Sequence, residues 1–372
     1  MDGVQLKYKI AFASVRGMGY DLAQRILDIV PSEQSFFEMR GDELAALLQV
    51  KSRITDNEYR SQLLVNAEKE IDFIDKNNLG VCYFTDEDYP PRLANAHDAP
   101  IILYYKGDVG CLNAAKLVSI VGTRHATPYG VHFCDTFVRD MADMLVDTVV
   151  VSGLAYGIDI AAHRAALANN IPTIAVLAHG LNTIYPSQHR DDAIRIINDG
   201  GMLVTDYTSR QVMTRANFLA RNRIIAALSD CTVVVESAEK GGAIVTAGIA
   251  ASYNRDVFAV PGKVSDIYSA GCNNLIKRNT ASMITNCDDM MQAMRWNMFG
   301  NESVGRQKSL FPELSPEEQI IVDYLRSHSD SHINVICSAL RLPMSQLLSQ
   351  LIDLEFKGAI MASPGNRYSV AF

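Results

Sequence analysis

The stretch "KLVSIVGTRHATPYG" (Lys116–Gly130) decides how this chain is read. An apolar run from Leu117 to Val121 ends in Gly122-Thr123-Arg124, a polar turn follows, and a helical pattern begins at Tyr129. A strand, a glycine turn and a helix in that order bring backbone N–H groups to one place, where an anion can sit. The anion is either the phosphate of a small nucleotide or the backbone of a nucleic acid.

Outward from that turn, the same grammar repeats from 116 to 286. The runs "LVSIVG", "TVVVSG", "PTIAVLAHG", "GMLVTDY", "CTVVVES" and "DVFAVPG", with "ASMITN" as a seventh, are short and rich in Val, Ile and Leu. Such runs read as strands buried on both faces of a parallel sheet. Between them, helical spacing covers Tyr129–Met144, Ile158–Ala168, Asp191–Asn198, Asn217–Leu228 and Ala243–Tyr253. The alternation predicts an α/β domain over 111–293, a Rossmann-like, doubly wound and mostly parallel sheet.

In such sheets ligands bind beyond the carboxyl ends of the strands. Those ends carry Gly122-Thr123-Arg124, Ser152-Gly153, Lys240-Gly241-Gly242 with Thr246 a helical turn later, and Pro261-Gly262-Lys263. Glycine admits close backbone approach, and arginine offers a planar fork for two phosphate oxygens. Any one of these turns is ordinary fold geometry; their convergence on one sheet edge is what points to a site. The segment "TSRQVMTRANFLARNRIIAALSD" adds Arg210, Arg215, Arg221 and Arg223, with no acid between Asp206 and Asp230. With Ile224, Ile225 and Leu228 facing the core, these arginines are expected to stay exposed as a phosphate-tracking patch beside Asn222.

Catalytic patterns are weaker. Asp159 and His163 stand four apart on a helix without an evident third ligand, so a capping or helix-surface pair competes with a metal site. His179, His189 and Asp206 lie near strand ends without a nucleophile motif. Glu236 reads as a buried polar residue of the sheet, and Tyr156, Tyr185 and Tyr207 as rim or core packing with base stacking as the alternative. No cofactor or metal motif is found.

The flanks differ. Residues 1–110 read as a small helical domain plus a proline-marked connector ending in the strand "IILYYKG". Its "SVRGMGYDLAQRILDIV" resembles a SAM-like or helix-hairpin-helix unit, with a tight helix corner as the plain alternative. Residues 294–314 read as a linker. From 315 to 372 a Ser-Pro helix start, two further helices and two short strands around "SPGN" follow the order of a winged helix.

The chain has 372 residues, 48% of them apolar, and a net charge of −8. That charge is uneven: −6 over 1–110, −1 over 111–292, +2 over 293–312 and −3 over 313–372. Bulk acidity lowers the odds of nucleic-acid binding, while a local patch sets the contact. A net of −3 is unusual for a DNA-reading wing, so a protein-contacting or vestigial role is equally open. Seven scattered cysteines without a C-x-x-C pair, no secretory leader pattern and no bilayer-length apolar run point to a reducing cytoplasm and no membrane.

The ordered motifs "SIVGTR", "VVSGLAYGIDIAAHRAAL", "GLNTIYP", "RNRIIAALSD", "GGAIVTAGIA" and "VFAVPGKVSDIYSAGCNNLIK" resemble the DNA-processing protein A family (DprA, also called Smf) across 116–286. The resemblance implies a bacterial single-stranded DNA-binding protein without required catalysis. Such a protein protects incoming strands during natural transformation, loads RecA recombinase onto them and works as a homodimer. It implies a phosphate pocket at Gly122, Thr123 and Arg124, further contacts at Arg221, Asn222, Arg223 and Lys240–Gly242, and a groove that includes Lys263. A dimer contact is implied near Asn274, Leu275 and Ile276. Two departures stand out. After Tyr185-Pro186 this chain has Ser187, Gln188 and His189 where the family often places a basic residue and an Asn, leaving Arg190 to supply the charge. The fifth-strand turn reads Gly-Gly-Ala rather than Ser-Gly-Ser. The rival reading is a nucleotide-processing enzyme of the phosphoribohydrolase type; its Gly-Gly-x-Gly-Thr turn is only approximated by "EKGGAIVTAGIA", preceded by Glu236 and Glu239.

Overall fold

The chain begins with five helices, α1 (Gly3–Ala13), α2 (Tyr20–Ile29), α3 (Glu33–Glu38), α4 (Gly41–Leu48) and α5 (Asn57–Asn77). Strands β1 (Gly80–Tyr83) and β2 (Ile102–Gly107) then flank a single turn, α6 (Pro91–Ala94). The predicted rhythm follows: β3 (Lys116–Val121), α7 (Pro128–Met144), β4 (Thr148–Ser152), α8 (Ile158–Ala168), β5 (Thr173–Val176), α9 (Arg190–Asn198) and β6 (Met202–Thr205). It continues through α10 (Arg215–Leu228), β7 (Cys231–Val234), α11 (Gly242–Ser252), β8 (Asp256–Ala259), α12 (Ala270–Lys277), β9 (Ser282–Met283) and α13 (Cys287–Ala293). The computed structural model describes residues 3–50, 52–296, 314–328, 330–357, 359–363 and 366–370.

One nine-stranded sheet runs in the order β1-β2-β6-β5-β4-β3-β7-β8-β9. From β6 to β9 every pairing is parallel, whereas β2 joins β6 antiparallel and β1 joins β2 antiparallel. The chain leaves β3 in one direction through β4, β5 and β6, then returns to its other side with β7. The crevice between β3 and β7 is therefore the topological switch point, where open α/β sheets take ligands. Alternate residues of β3 serve opposite faces: Leu117 packs in the core shared with the N-terminal helices, while Val118 and Ile120 pack with α7 and α13.

The boundary expected at 110 falls inside this sheet, between β2 and β3. One apolar cluster contains Phe12 and Phe36 of the helical segment together with Val151 and Val204 of the strands. The N-terminal helices and the sheet accordingly form one unit, Met1–Gly300. Glu70 of α5 seals the junction, accepting from the Ser209 amide at 2.8 Å and its hydroxyl at 2.7 Å. Residues 297–313 of the expected linker lie outside the described residues; Met294 and Trp296, just before them, pack on the sheet's α7 face.

The second unit, Asn301–Phe372, contains α14 (Pro316–Ser327), β10 (Ser331–His332), α15 (Ile333–Leu340), α16 (Met344–Phe356), β11 (Ile360–Ser363) and β12 (Arg367–Val370). Its strands form an antiparallel sheet in the order β10-β12-β11, giving the expected winged helix. The Ser-Pro start of α14 is a full capping box, with the Ser315 hydroxyl on the Glu318 amide and the Glu318 carboxylate on the Ser315 amide. No single helix among the described residues is long and apolar enough to cross a membrane.

Candidate functional site

The turn after β3 is stitched into place from both sides. The Thr123 amide donates to the Glu236 carbonyl at 2.6 Å, and the Thr123 carbonyl accepts from the Ile158 amide at 3.1 Å. The second bond requires Gly157, whose φ of 78° and position would put a Cβ 2.1 Å from that carbonyl. Glu236, 1% exposed, takes the Thr127 amide at 2.9 Å and its hydroxyl at 2.6 Å, and so caps the start of α7. This carboxylate is committed to the fold, as its reading as a buried sheet residue predicts.

Above the switch point lies a cavity of about 330 Å³. Gly122, Thr123 and Arg124 line one side, Phe218, Arg221 and Asn222 of α10 another, and Gly241 with Gly242 and Thr246 of α11 a third. Among the described residues the first turn of α11 has no side-chain cap; its Ile244 amide turns back to the Gly241 carbonyl at 3.1 Å, which leaves the Gly242 and Ala243 amides and the positive end of the dipole for an anion. Asp159, Ala155 and Tyr268 also line it. Convergence of the β3 and β7 turns is thus borne out in the structure.

The arginines divide. Arg124 is exposed and has no ion pair among the described residues; its guanidinium carbon lies 5.4 Å from the centre of the Phe218 ring. Phe218 in turn meets Tyr185 edge-on at 5.6 Å, so a cation and two rings form a continuous rim. Arg210 and Arg215 are exposed as well.

Arg221 and Arg223 depart from the expected exposed patch. Arg221 is only 4% exposed and donates from Nη1 to the carbonyls of Gly153, at 2.7 Å, and Val176. Its Nε reaches the Asn222 amide oxygen at 3.3 Å. Gly153 makes room for it, because a Cβ there would lie 2.5 Å from the guanidinium nitrogens. Burial pulls the Arg221 pKa down and the Asp159 carboxylate works against that pull. Asp159 shows the reverse: burial raises its pKa, while Arg221, the Ala155 amide, the Arg124 guanidinium and the Gly153 amide oppose the rise. Arg223 pairs with Asp206 and donates to the Asp98 carbonyl at 2.5 Å, tying α10 to the end of β6 and to the connector. Both side chains are spent on carbonyls and carboxylates that the sequence keeps far away, which is why the local absence of acids misleads.

Other expected groups are also accounted for. The Ser152 hydroxyl is fully buried and donates to the Ile120 carbonyl at 2.6 Å, inside the sheet and away from the cavity. Thr246 lines the cavity and donates to the Gly242 carbonyl at 3.2 Å. Lys240 and Lys263 stand exposed on the turns after β7 and β8, and Arg190 is exposed at the start of α9; none of the three lines the cavity. Asp159 and His163 are not joined: His163 Nδ1 meets the Thr173 hydroxyl at 2.7 Å, and burial depresses its pKa to about 3. The Tyr156 hydroxyl donates to Gln188, one of the residues at the family departure. Phe218 escaped the sequence reading because it stands seven residues before Ile225, on nearly the same side of α10, and so reads as core packing, whereas it is half-buried in the cavity wall. On α12, Leu275 is buried in the core while Asn274 and Ile276 are half-exposed.

Residues 80–295 match the family model described as DNA recombination-mediator protein A, and residues 308–366 match the DprA winged helix domain. The chain belongs to the DprA family. It is 32% identical over 302 residues to Protein Smf of Escherichia coli, covering 81% of this chain and 80% of that protein. To the DNA processing protein DprA of Streptococcus pneumoniae it is 37% identical over 206 residues, 55% of this chain and 71% of that one. The X-ray structure of the pneumococcal DprA superposes with a TM-score of 0.61 at 28% identity, covering 77% of this chain and 95% of that chain. A Helicobacter pylori DprA structure, described for its single-stranded DNA binding mode, matches at a TM-score of 0.52 and 30% identity over 59% of this chain and 96% of that one. The Rossmann-like sheet and the winged helix are thus those of the DprA family, whose members are DNA-binding recombination mediators.

Proposed function

We propose that this protein binds single-stranded DNA across the β3/β7 switch point, shields the incoming strand in the cytoplasm and passes it to RecA recombinase during natural transformation. The observation that carries the reading is Arg124: an exposed guanidinium without an ion pair among the described residues, at the mouth of a cavity that also offers uncapped helix amides and an aromatic wall. Guanidinium and amides suit backbone phosphates, and the Phe218 and Tyr185 rings suit an unstacked base, which only a single strand offers freely. Lys240, Lys263, Arg190, Arg210 and Arg215 would extend the phosphate track, with Arg221 and Asn222 supporting the cavity floor from within. Binding as a homodimer through the face around Asn274 and Ile276 would lengthen that track.

The rival nucleotide hydrolase needs a free acid beside the phosphate turn. Glu236 is occupied by Thr127, Asp159 in the cavity wall faces Arg221 and the amides of Ala155 and Gly153, and Glu239 does not line the cavity. This geometry favours binding over hydrolysis. The deciding experiment is fluorescence anisotropy of a labelled oligo-dT strand across a salt series. Wild type is expected to bind with a steep salt dependence and to prefer single strands over duplex, with Arg124→Ala losing about tenfold or more in affinity. Absence of binding at low salt, or an unaffected variant, would overturn the reading and turn attention to base release from nucleoside monophosphates.

A further inference from the structure

The winged-helix unit carries a surface that DNA binding does not explain. In a helix-turn-helix the second helix is the one that enters the major groove, and its exposed side needs groups that read bases or hold phosphates. Here that helix is α16, and its exposed side presents Met344, Leu348 and Ile352 at 41%, 44% and 46% exposure. Four-residue spacing sets the three in one stripe. Leu347, Leu351 and Leu354 on the same helix are fully buried, so the inward face is already satisfied and the stripe is additional.

The charges point away from DNA. Between 313 and 372 stand four basic and seven acidic side chains. Three of the four bases are tied up within the unit: Arg326 with Asp323, Lys357 with Glu318 and Arg367 with Asp330. Glu355, three residues beyond Ile352, lies on the stripe's side of the helix and is exposed, with no ion pair among the described residues. A second copy would bring the same negative sign against itself. An apolar stripe ending in an uncompensated carboxylate, on an acidic unit, instead complements an apolar surface edged by cations.

We propose that this face of α16 docks an amphipathic helix of a protein partner, apolar on the contacting side and bearing lysine or arginine beside it. The stripe anchors the helix and Glu355 sets its orientation.

The test uses the full chain with methyl-labelled methionine and a synthetic helix of about five turns, leucines along one side and lysines at its margins, against a twin with glutamates for the lysines. The Met344 methyl signal is expected to shift saturably with the lysine peptide and about tenfold more weakly with the twin. Leu348→Ser should abolish the shift, and Glu355→Gln, which leaves the stripe intact, should weaken it about threefold. An unmoved Met344 signal, equal response to both peptides, or binding that survives Leu348→Ser overturns the proposal. A Met344 shift caused by duplex DNA gives the face to nucleic acid, and an assembly mass that falls in Leu348→Ser gives it to a second copy; either result also overturns it.

Discussion

The turn after β3 and the helix α10 face each other across one cavity, and each contributes an arginine to its lining. Arg124 holds no carbonyl or carboxylate among the described residues, while Arg221 holds the carbonyls of Gly153 and Val176. The first is exposed, with only the Phe218 ring and the charge of Asp159 beside it. The second is a joint between α10 and the ends of β4 and β5. Equal charge and shared location therefore conceal opposite duties, and hydrogen-bond accounting separates them.

The strongest way to break this comparison is to truncate both. Arg221→Ala should cost about 3–5 kcal/mol in urea unfolding, because buried carbonyls lose their donor and Asp159 loses its counter-charge. Arg124→Ala should stay within about 0.5 kcal/mol of wild type, as exposed substitutions do. Comparable losses in the two variants would refute the division of labour.

A second test concerns the stitched turn. Gly157→Ala should destabilise by roughly 2–3 kcal/mol and loosen DNA binding as well, since a Cβ would collide with the carbonyl that holds the Arg124 turn. A variant that unfolds earlier yet binds as tightly would show that the turn does not position Arg124.

Buried His163, one helical turn beyond Asp159 on α8, gives a pH signature. Its folded-state pKa, about 3, lies below its ordinary 6.5, so the native state holds fewer protons than the unfolded chain between those values. Its contribution is complete above about pH 6.5 and is lost as the pH falls. Asp159, raised by burial, acts in the opposite sense, contributing most at low pH and less as the pH climbs through its folded-state value. By about pH 5 the His163 contribution should have dropped by roughly 2 kcal/mol, and His163→Leu should flatten the free energy of urea unfolding against pH by that amount. Equal slopes in the two proteins would remove His163 as the cause.

The smallest effect belongs to the outlying lysines. Lys240→Ala and Lys263→Ala should each weaken oligo-dT binding only about two- to threefold and lower the salt slope by about 0.7. A loss at Lys263 as large as that of Arg124→Ala would move the centre of the site toward β8.

Much of this architecture is legible in the residues themselves. Unbroken Val/Ile/Leu runs mark β3 to β8 because both sheet faces are covered, and α8 has the limits its apolar spacing implies. The glycine turns at 122 and 241 identify the switch point for the same local reason. What escapes is set by distant partners. The carbonyls that bury Arg221 lie 68 and 45 residues away, and the acid that pairs Arg223 lies 17 residues upstream, outside the window in which acids seemed absent. The union of β2 with β6 spans about a hundred residues and is antiparallel, so no repeating pattern announces it.

That antiparallel union bears on where the molecule can be cut. The family match begins at residue 80, the first residue of β1. A chain trimmed there sheds its helices but keeps β1 and β2 as a hem along β6. A chain trimmed at 110 bares the hydrogen-bonding edge of β6, an apolar strand ready to recruit any other extended segment. The β1–β2 pair therefore guards that edge, and because the helices before residue 80 share a core with Val151 and Val204, the fragment to express keeps both.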